Sequence, residues 1–351
     1  MDPKKNPLAI PSTASVLKDL GMTTATDDRF TLPPPPKPED WVLANARGIS
    51  REYFRRHFNS GLSLYRALPA AWQFHWSKAH ERLLYGSNQA GKTGAALTEV
   101  GRISLGKHPD FPKRDGIMLC VGLDGDHIGQ NMWHKLTTPT LFQTVPDEIT
   151  GAPRAVRPDP NDPRHLDPID LARQDQWEWA PPILPPEEWD FKGGVVWEDK
   201  GRNIPRLVNI RSSGWTQLWH PSGGKERRGI EIDFAWFDEE IERKNWYYET
   251  VPRLLRRNGR FLWSATPQTE EYLLLNLHQR VEGGDRDIAE FQLQLDDNPY
   301  ISDDAKRKMH SKFSAMSADD LAVRYYGEFA ALKKKIYSEF DMNSLGVEGF
   351  N

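Results

Sequence analysis

The chain has 351 residues, of which 38% are hydrophobic and 27% charged, and its formal net charge is −4. This length suits one large α/β domain with additions or two modest domains. No stretch is long and apolar enough to span a bilayer, and the start lacks the apolar core of a secretory signal. The single cysteine, Cys120, excludes an intrachain disulfide and any site with several cysteine ligands. These features predict a protein of a reducing cytoplasm without a membrane partner. The net charge excludes a uniformly basic nucleic-acid coat but allows a local basic face.

The first 40 residues are rich in proline and include four successive prolines at 33–36. This composition predicts an extended arm and not a packed element. Helical spacing begins near Trp41, and a short helix around Gln73 precedes the first chemical motif. An amide offers a donor and an acceptor together, so Gln73 is a candidate contact for adenine, although a lone glutamine carries little information by itself.

Residues 86–93 match the phosphate-loop pattern G-x-x-x-x-G-K-[ST] at every fixed position. The apolar run 82–85 predicts a strand before the loop, and the residues after it predict a helix. In that context the loop N–H groups and the helix N-terminus face a phosphate. We expect Lys92 to neutralise the β- and γ-phosphates and the Thr93 hydroxyl to bind Mg²⁺. The alternative is an ordinary glycine-containing turn before a helix. The predicted ATP contacts in the loop are Gly86, Ser87, Asn88, Gln89, Ala90, Gly91, Lys92 and Thr93.

The next segments predict a second parallel strand at 116–122 and a helix that opens at 124–127. We expect the Asp and His residues of that opening to cap the helix and not to bind a metal. From 145 to 205, the proline density predicts an insertion without regular elements, held by packing of indole rings in preference to stacking on nucleic-acid bases. Alternating residues around Gly214 then predict a hairpin, followed by a flexible basic loop that contains Arg227 and Arg228.

The second chemical motif is a buried strand that ends in three acids, Asp238, Glu239 and Glu240. Nucleotide hydrolysis needs one carboxylate for the Mg²⁺ water shell and one to polarise the attacking water. Adjacent residues at the end of a strand divide these tasks, because successive side chains point in different directions. The pattern assigns Asp238 to the metal and Glu239 to the base, with Glu240 as the weaker alternative.

The chain then predicts a helix over 245–258 and a strand over 259–263. The strand ends in Ser264 and Thr266, where polar side chains lie beside the phosphate crevice and can sense the γ-phosphate; an ordinary turn is the alternative. Residues 270–330 predict mostly helix, with Ser302 and Ser317 as N-caps.

The ordered series of motifs resembles the ATPase domain of the large terminase subunit of tailed bacteriophages. The series covers roughly residues 70 to 340, and its members besides the phosphate loop and the acidic strand are residues 73–75, 264–267, 297–300, 326–329 and 336–340. The phosphate loop is generic, whereas the series in this order is much more specific.

The resemblance implies a RecA-like α/β fold, a mainly parallel sheet flanked by helices, with a small helical lid. It implies hydrolysis of ATP with Mg²⁺ and translocation of double-stranded DNA into a procapsid. It further implies a portal protein and a small terminase subunit as partners, a homo-oligomeric ring, pentameric in the family, and work in the host cytoplasm at the portal. The predicted divisions are an arm at 1–40, an ATPase core at 41–270, a lid at 271–330 and a linker at 331–351 toward an absent nuclease domain.

In that family Lys92 and Glu239 are catalytic, Thr93 and Asp238 bind the metal, and an arginine completes the site. Arg228 is the candidate by position, and a screen of alternatives would include Arg202, Arg211 and Arg227. DNA contacts are expected from Arg253, Arg256 and Arg257. Two alternatives remain, a superfamily 2 helicase-like remodelling ATPase and a nucleotide-dependent structural protein without turnover. The helicase needs a second RecA domain, for which the residues after Thr266 are too few and too helical.

Overall fold

The computed structural model describes residues 60–111, 115–189, 193–226, 229–241, 243–267 and 272–329. The predicted arm, the linker, and the arginines at 227 and 228 lie outside these residues. Within this part of the chain, no helix has the length and apolar character needed to cross a membrane. The strands are β1 Glu81–Gly86, β2 Ile117–Gly122, β3 Gln143–Pro146, β4 Pro153–Ala155, β5 Glu178–Trp179, β6 Val195–Trp197, β7 Pro205–Asn209, β8 Thr216–Pro221, β9 Phe234–Asp238, β10 Arg260–Ala265 and β11 Ile288–Leu293. The α-helices are α1 Pro69–Trp76, α2 Lys92–Ser104, α3 His134–Thr137, α4 Pro168–Leu171, α5 Asn245–Leu255, α6 Tyr272–Glu282, α7 Asp303–Ser314 and α8 Ala318–Leu321.

An eight-stranded sheet in the order β11-β1-β10-β9-β2-β8-β7-β6 forms the centre of the molecule. The six strands from β11 to β8 are parallel to one another, and β7 and β6 extend the sheet antiparallel. The strand before the phosphate loop, β1, and the strand that ends in acids, β9, flank β10. The carboxyl ends of these three neighbours therefore meet at one edge, which confirms the predicted α/β, RecA-like sheet.

Helices cover both faces of this sheet, which is why its central parallel strands consist almost entirely of buried residues. All five residues of β9 are buried. On one face Val100 and Ile103 of α2 pack in a cluster with Trp236 of β9. On the other face Leu254 of α5 and Leu277 of α6 pack in a cluster with Phe237. Consecutive residues of one strand thus anchor opposite layers, and the acids that follow are held from both sides.

The proline-rich insertion contains short regular elements, so the prediction of none between 145 and 205 was wrong. A separate three-stranded antiparallel sheet has the order β4-β3-β5, and β6 lies in the main sheet. The prolines stand where they are tolerated: Pro146 ends β3, Pro153 begins β4 and Pro168 is the first residue of α4. The predicted indole packing is present, since Trp133 contacts Trp189 and Trp197 edge to face, at 5.2 and 6.1 Å between ring centroids.

The region from 272 onwards is mostly helical, as predicted, but it contributes one strand that the sequence did not indicate. This strand, β11, pairs in parallel with β1 and forms an edge of the main sheet. Ser302 and Ser317 do cap α7 and α8, each accepting a hydrogen bond from a backbone N–H three residues ahead. A π-helical turn, Ala322–Tyr326, follows α8 and returns the chain to the phosphate loop.

Candidate functional site

The phosphate loop connects β1 to α2 through backbone that needs glycine at two places. Gly91, which precedes α2, has a φ of +96°, a conformation that favours residues without a Cβ. Gly86 lies so close to β11 that an added Cβ would overlap the carbonyl oxygen of Leu293. The N–H groups at the start of α2 have no intrahelical acceptor and leave an anion-binding end. The loop therefore has the geometry that its sequence pattern predicts.

Lys92 is buried in the loop that it serves. Its Nζ donates to the carbonyl oxygens of Gly86 at 3.0 Å and Ser87 at 2.8 Å, and to Oγ1 of Thr266 at 3.1 Å. Burial lowers the pKa of Lys92, against the attraction of Glu239 and Asp238, which raises it. The ammonium is thus held between the loop and the end of β10 and faces the two acids.

Asp238 ends β9 with both carboxylate oxygens engaged. Oδ1 accepts a hydrogen bond from Oγ of Ser264 at 2.6 Å, and Oδ2 accepts one from Nε2 of His127 at 3.0 Å. The side chain is 1% exposed. Asp124 caps the turn that carries His127, as predicted, by accepting a hydrogen bond from its backbone N–H at 2.7 Å. The sequence did not indicate that His127 contacts Asp238, the acid predicted to bind the metal.

Glu239 has a positive φ of +63°, which is uncommon for a residue with a side chain. Its N–H donates to the Ser264 carbonyl oxygen at 2.6 Å, and its own carbonyl oxygen accepts from Nε1 of Trp263 at 2.8 Å. Its Oε2 accepts from the backbone N–H of Thr266 at 3.2 Å. Burial raises the pKa of Glu239, opposed by the attraction of Lys92. A raised pKa is typical of a carboxylate that accepts a proton in catalysis.

Thr266 joins the separate parts of the site. Besides its contacts with Lys92 and Glu239, its hydroxyl lies 3.2 Å from Oδ1 of Asn88 in the loop and donates to it. One residue at the end of β10 therefore touches the phosphate loop, the lysine and the glutamate. Its assignment as a γ-phosphate sensor stays a prediction.

The residues at this edge fit a magnesium ion together with a nucleotide phosphate. Asp238 and Thr93 offer oxygen ligands, and Mg²⁺ uses one or two protein ligands with substrate phosphates and water. Among the described residues, no group of three or more His, Cys, Asp or Glu side chains is placed to hold a metal. The buried hydroxyl of Ser87 has no hydrogen-bond partner in the part of the chain that the structure describes, as expected for a loop atom that serves a ligand.

Two cavities adjoin the loop. One, of about 250 Å³, is lined by Asn88, Glu239, Thr266 and Arg324 among others. The second, of about 290 Å³, lies outside the loop and is lined by Gly91, Gly94 and a rim of larger side chains. That rim includes Tyr65, Leu68, Gln143, Trp179 and Tyr300. The first cavity faces the acids, whereas the second has the apolar walls that suit a base.

Gln73 is exposed on α1 and is not one of the residues that line the second cavity. Its assignment as the adenine contact stays a prediction. Nearby on the same helix, His75 contacts a residue of the cavity rim, because its Nε2 is 3.1 Å from the hydroxyl of Tyr65. The opposite ring nitrogen, Nδ1, is 2.9 Å from Oε1 of Glu99 in α2. His75 thus connects Tyr65, which lines the second cavity, to α2.

Arg227 and Arg228 lie outside the described residues, so Arg228 stays a prediction as the arginine that completes the site. Arg202 lines a separate open groove beside His134. Of the arginines proposed for DNA, Arg253 pairs with Glu249, and Arg256 and Arg257 pair with Glu231. The arginine that does line the cavity of Glu239 is Arg324, which sequence analysis did not select.

No protein-family model and no curated protein matches this sequence. The ATPase domain of the large terminase of Thermus phage P74-26 aligns with a TM-score of 0.46 and 16% identity, over 80% of this chain and 98% of that one. The large terminase of a thermophilic bacteriophage, in complex with ATP-gamma-S, aligns with a TM-score of 0.45 and 12% identity, over 81% of this chain and 55% of that one. The large terminase of bacteriophage HK97 aligns with a TM-score of 0.45 and 12% identity, over 76% and 51%. This chain therefore spans about half the length of the latter two proteins. The resemblance that the motifs indicated is thus found again among solved structures.

Proposed function

We propose that this chain is a Mg²⁺-dependent ATPase whose turnover drives the translocation of double-stranded DNA into a viral procapsid. The observation that carries the ATPase part is the position of Thr266, which touches Lys92, Asn88 and Glu239 at once. A phosphate loop and a base that share one polar contact are arranged for hydrolysis and for sensing its completion.

The chemistry follows from what each group can do. Lys92 lies where its ammonium can offset the charge of the β- and γ-phosphates, and the loop N–H groups cradle them. The Thr266 N–H holds Oε2 of Glu239, which leaves Oε1 to accept a proton from the attacking water. The water oxygen then bonds to the γ-phosphorus as the bond to the leaving ADP oxygen breaks. Bound Mg²⁺ supplies positive charge beside the phosphates, with Thr93 and Asp238 as its protein ligands or the partners of its water shell.

Coupling to DNA rests on the resemblance of the motif series to large terminases. The same resemblance supports the portal protein and the small terminase subunit as partners, a homo-oligomeric ring, and a location in the host cytoplasm on the procapsid portal. A packaging motor has to hold any sequence, so its DNA affinity should come from phosphate contacts and fall steeply with salt. Arg228 stays a candidate for the arginine that completes the site.

Hydrolysis of ATP by matched variants tests the proposal. Glu239→Gln should bind ATP and lose at least about 10²-fold in turnover, because the amide cannot accept a proton from water. Glu240→Gln is the matched control and should keep turnover. Loss of turnover in the control alone would assign the catalytic base to Glu240. Full turnover by both variants would refute the assignment of this site.

A helicase-like remodelling ATPase is the second candidate, because Asp238 and Glu239 followed by Ser264 and Thr266 also resemble superfamily 2 helicases. In the described part of the chain, the second sheet has only three strands. Strand separation measured beside DNA-stimulated ATPase distinguishes the two: a motor of the terminase kind should hydrolyse ATP on duplex DNA without separating its strands.

A further inference from the structure

His127 makes a direct contact with the acid that we assign to the metal. The distance from its Nε2 to Oδ2 of Asp238 is 3.0 Å, and the two side chains are 12% and 1% exposed. A carboxylate only accepts hydrogen bonds, so Nε2 carries the proton and donates. On the other side Ser264 donates to Oδ1, and Ser264 in turn accepts from Nε1 of Trp236 at 2.8 Å. The carboxylate is therefore held at both oxygens by neighbours with their own supports.

The position of the imidazole ring is built by its surroundings. His127 begins a π-helical turn, His127–Trp133, after a short connection from β2, which ends at Gly122. Asp124 accepts hydrogen bonds from the backbone N–H of His127 and, through its carbonyl oxygen, from that of Ile128 at 3.2 Å. Gly122, the last residue of β2, lets this turn pack closely, because an added Cβ would lie 2.8 Å from Cγ1 of Ile128, 2.9 Å from Sδ of Met132 and 3.1 Å from Cδ2 of His127. Cap, turn and glycine together direct the ring to Asp238.

We propose that His127 is a positioning residue that fixes the Asp238 carboxylate for Mg²⁺. Each carboxylate oxygen offers about two acceptor positions, so donation by His127 and Ser264 leaves one on each oxygen for the metal or its water. Fixing the plane of the carboxylate reduces the ordering that metal binding would otherwise require. Groups that orient a metal ligand in this way typically contribute about 10–100-fold to metal affinity.

This inference rests on the proposed function, since it concerns the same site, but it is tested by binding instead of turnover. The full-length chain is prepared in a Glu239→Gln background, so that nucleotide is not consumed. ATP affinity is measured by titration calorimetry in excess EDTA and over a series of Mg²⁺ concentrations. The variants are His127→Ala and His127→Gln, since the Gln amide can still donate to Asp238. His134→Ala is the control, because His134 is an exposed histidine at the start of α3, the next helix.

We expect His127→Ala to leave ATP affinity in EDTA within about twofold, and to raise the Mg²⁺ concentration for half-maximal tightening about tenfold. His127→Gln should recover most of that shift, and His134→Ala should show none. An unchanged Mg²⁺ midpoint in His127→Ala would overturn the inference. So would an equal loss of affinity in EDTA, or a failure of His127→Gln to recover, since either would mark a purely structural role. A chain with Glu239 intact that binds Mg²⁺ and ATP without hydrolysing it would refute the proposed function and leave this comparison valid.

Discussion

Gly327 closes the π-helical turn against the phosphate loop, and its replacement by alanine should detach that turn. Gly327 has a φ of +67°. An added Cβ would lie 2.3 Å from Cα of Gly86 and from the nitrogen of Ser87, both backbone atoms. Just before it, the Arg324 carbonyl oxygen accepts a hydrogen bond from the N–H of Asn88 at 3.3 Å. The clash therefore falls on the segment that supports the loop.

The expected loss in the free energy of unfolding of Gly327→Ala has two parts. Holding alanine in the left-handed region costs about 1–2 kcal/mol. A Cβ placed about 1 Å inside normal contact distance forces backbone to move, and overpacking of this kind costs about 1–3 kcal/mol. The two parts sum to about 2–5 kcal/mol. The loss cannot exceed the free energy with which the turn packs on the loop, because detachment of the turn relieves the clash. Loss of docking also removes support for Asn88, so ATP affinity should fall along with stability.

Gly284→Ala separates the two parts of this cost. Gly284 also follows a helix, with a φ of +89°, but an added Cβ there meets no atom of the described residues within 4 Å. The control should lose only the conformational part, about 1–2 kcal/mol, and should keep its ATP affinity. Urea unfolding and ATP titration of both variants make the comparison. Equal losses of stability with unchanged ATP affinity would refute the packing of Gly327 on the loop.

Three further predictions concern the acids, the lysine and the arginine proposed to complete the site. Lys92→Ala should abolish ATP turnover, because the phosphate charge is then uncompensated in a partly desolvated site; wild-type turnover would contradict the loop as the site. Burial raises the pKa of Glu239, so its ionisation destabilises the fold as pH rises through that pKa, and no such cost exists below the pKa of the unfolded chain. Glu239→Gln should therefore resist urea better than wild type at about pH 8, with the difference shrinking toward about pH 4; lower stability at the higher pH would contradict the sign. Mixing Glu239→Gln subunits with Arg228→Ala subunits should restore turnover, because an arginine supplied in trans reunites an intact base with an intact arginine. Mixing with Arg324→Ala should not, since Arg324 lines the cavity of its own subunit; equal recovery would place it in trans.

The sequence predicted the site best where its chemistry is local. The loop, the acids after β9 and the polar end of β10 each occupy one short segment, and the parallel order of β1, β10 and β9 places their ends together. Contacts between segments were not predictable, because no local pattern specifies them. The hydrogen bond from His127 to Asp238 joins residues 111 positions apart, and its only sequence signal was a histidine beside a helix cap.

Gln73 shows that a sequence motif does not reveal which of its side chains face solvent. Ala71 and Phe74 are the buried residues of α1. Because they lie three positions apart on one face of the helix, Gln73 and its neighbour Trp72 face solvent. His75 instead reaches Tyr65 and Glu99. The strand β11 was missed for a related reason, since a six-residue edge strand with only two fully buried positions carries little hydrophobic pattern.

The phosphate loop, which we expect to face the nucleotide, is held by elements that are distant from it in sequence. The backbone N–H groups of Ser87 and Asn88 donate to the carbonyl oxygens of Leu293 in β11 and of Arg324. The loop lysine contacts Thr266. A phosphate that draws Lys92 away from Thr266 changes the contacts of a residue that also holds Glu239. Phosphate binding at the loop and the position of the Glu239 carboxylate are thereby linked through the side chain and the backbone N–H of Thr266. That linkage is the physical requirement for a motor, in which the state of the nucleotide has to be transmitted to the protein before and after the bond is broken.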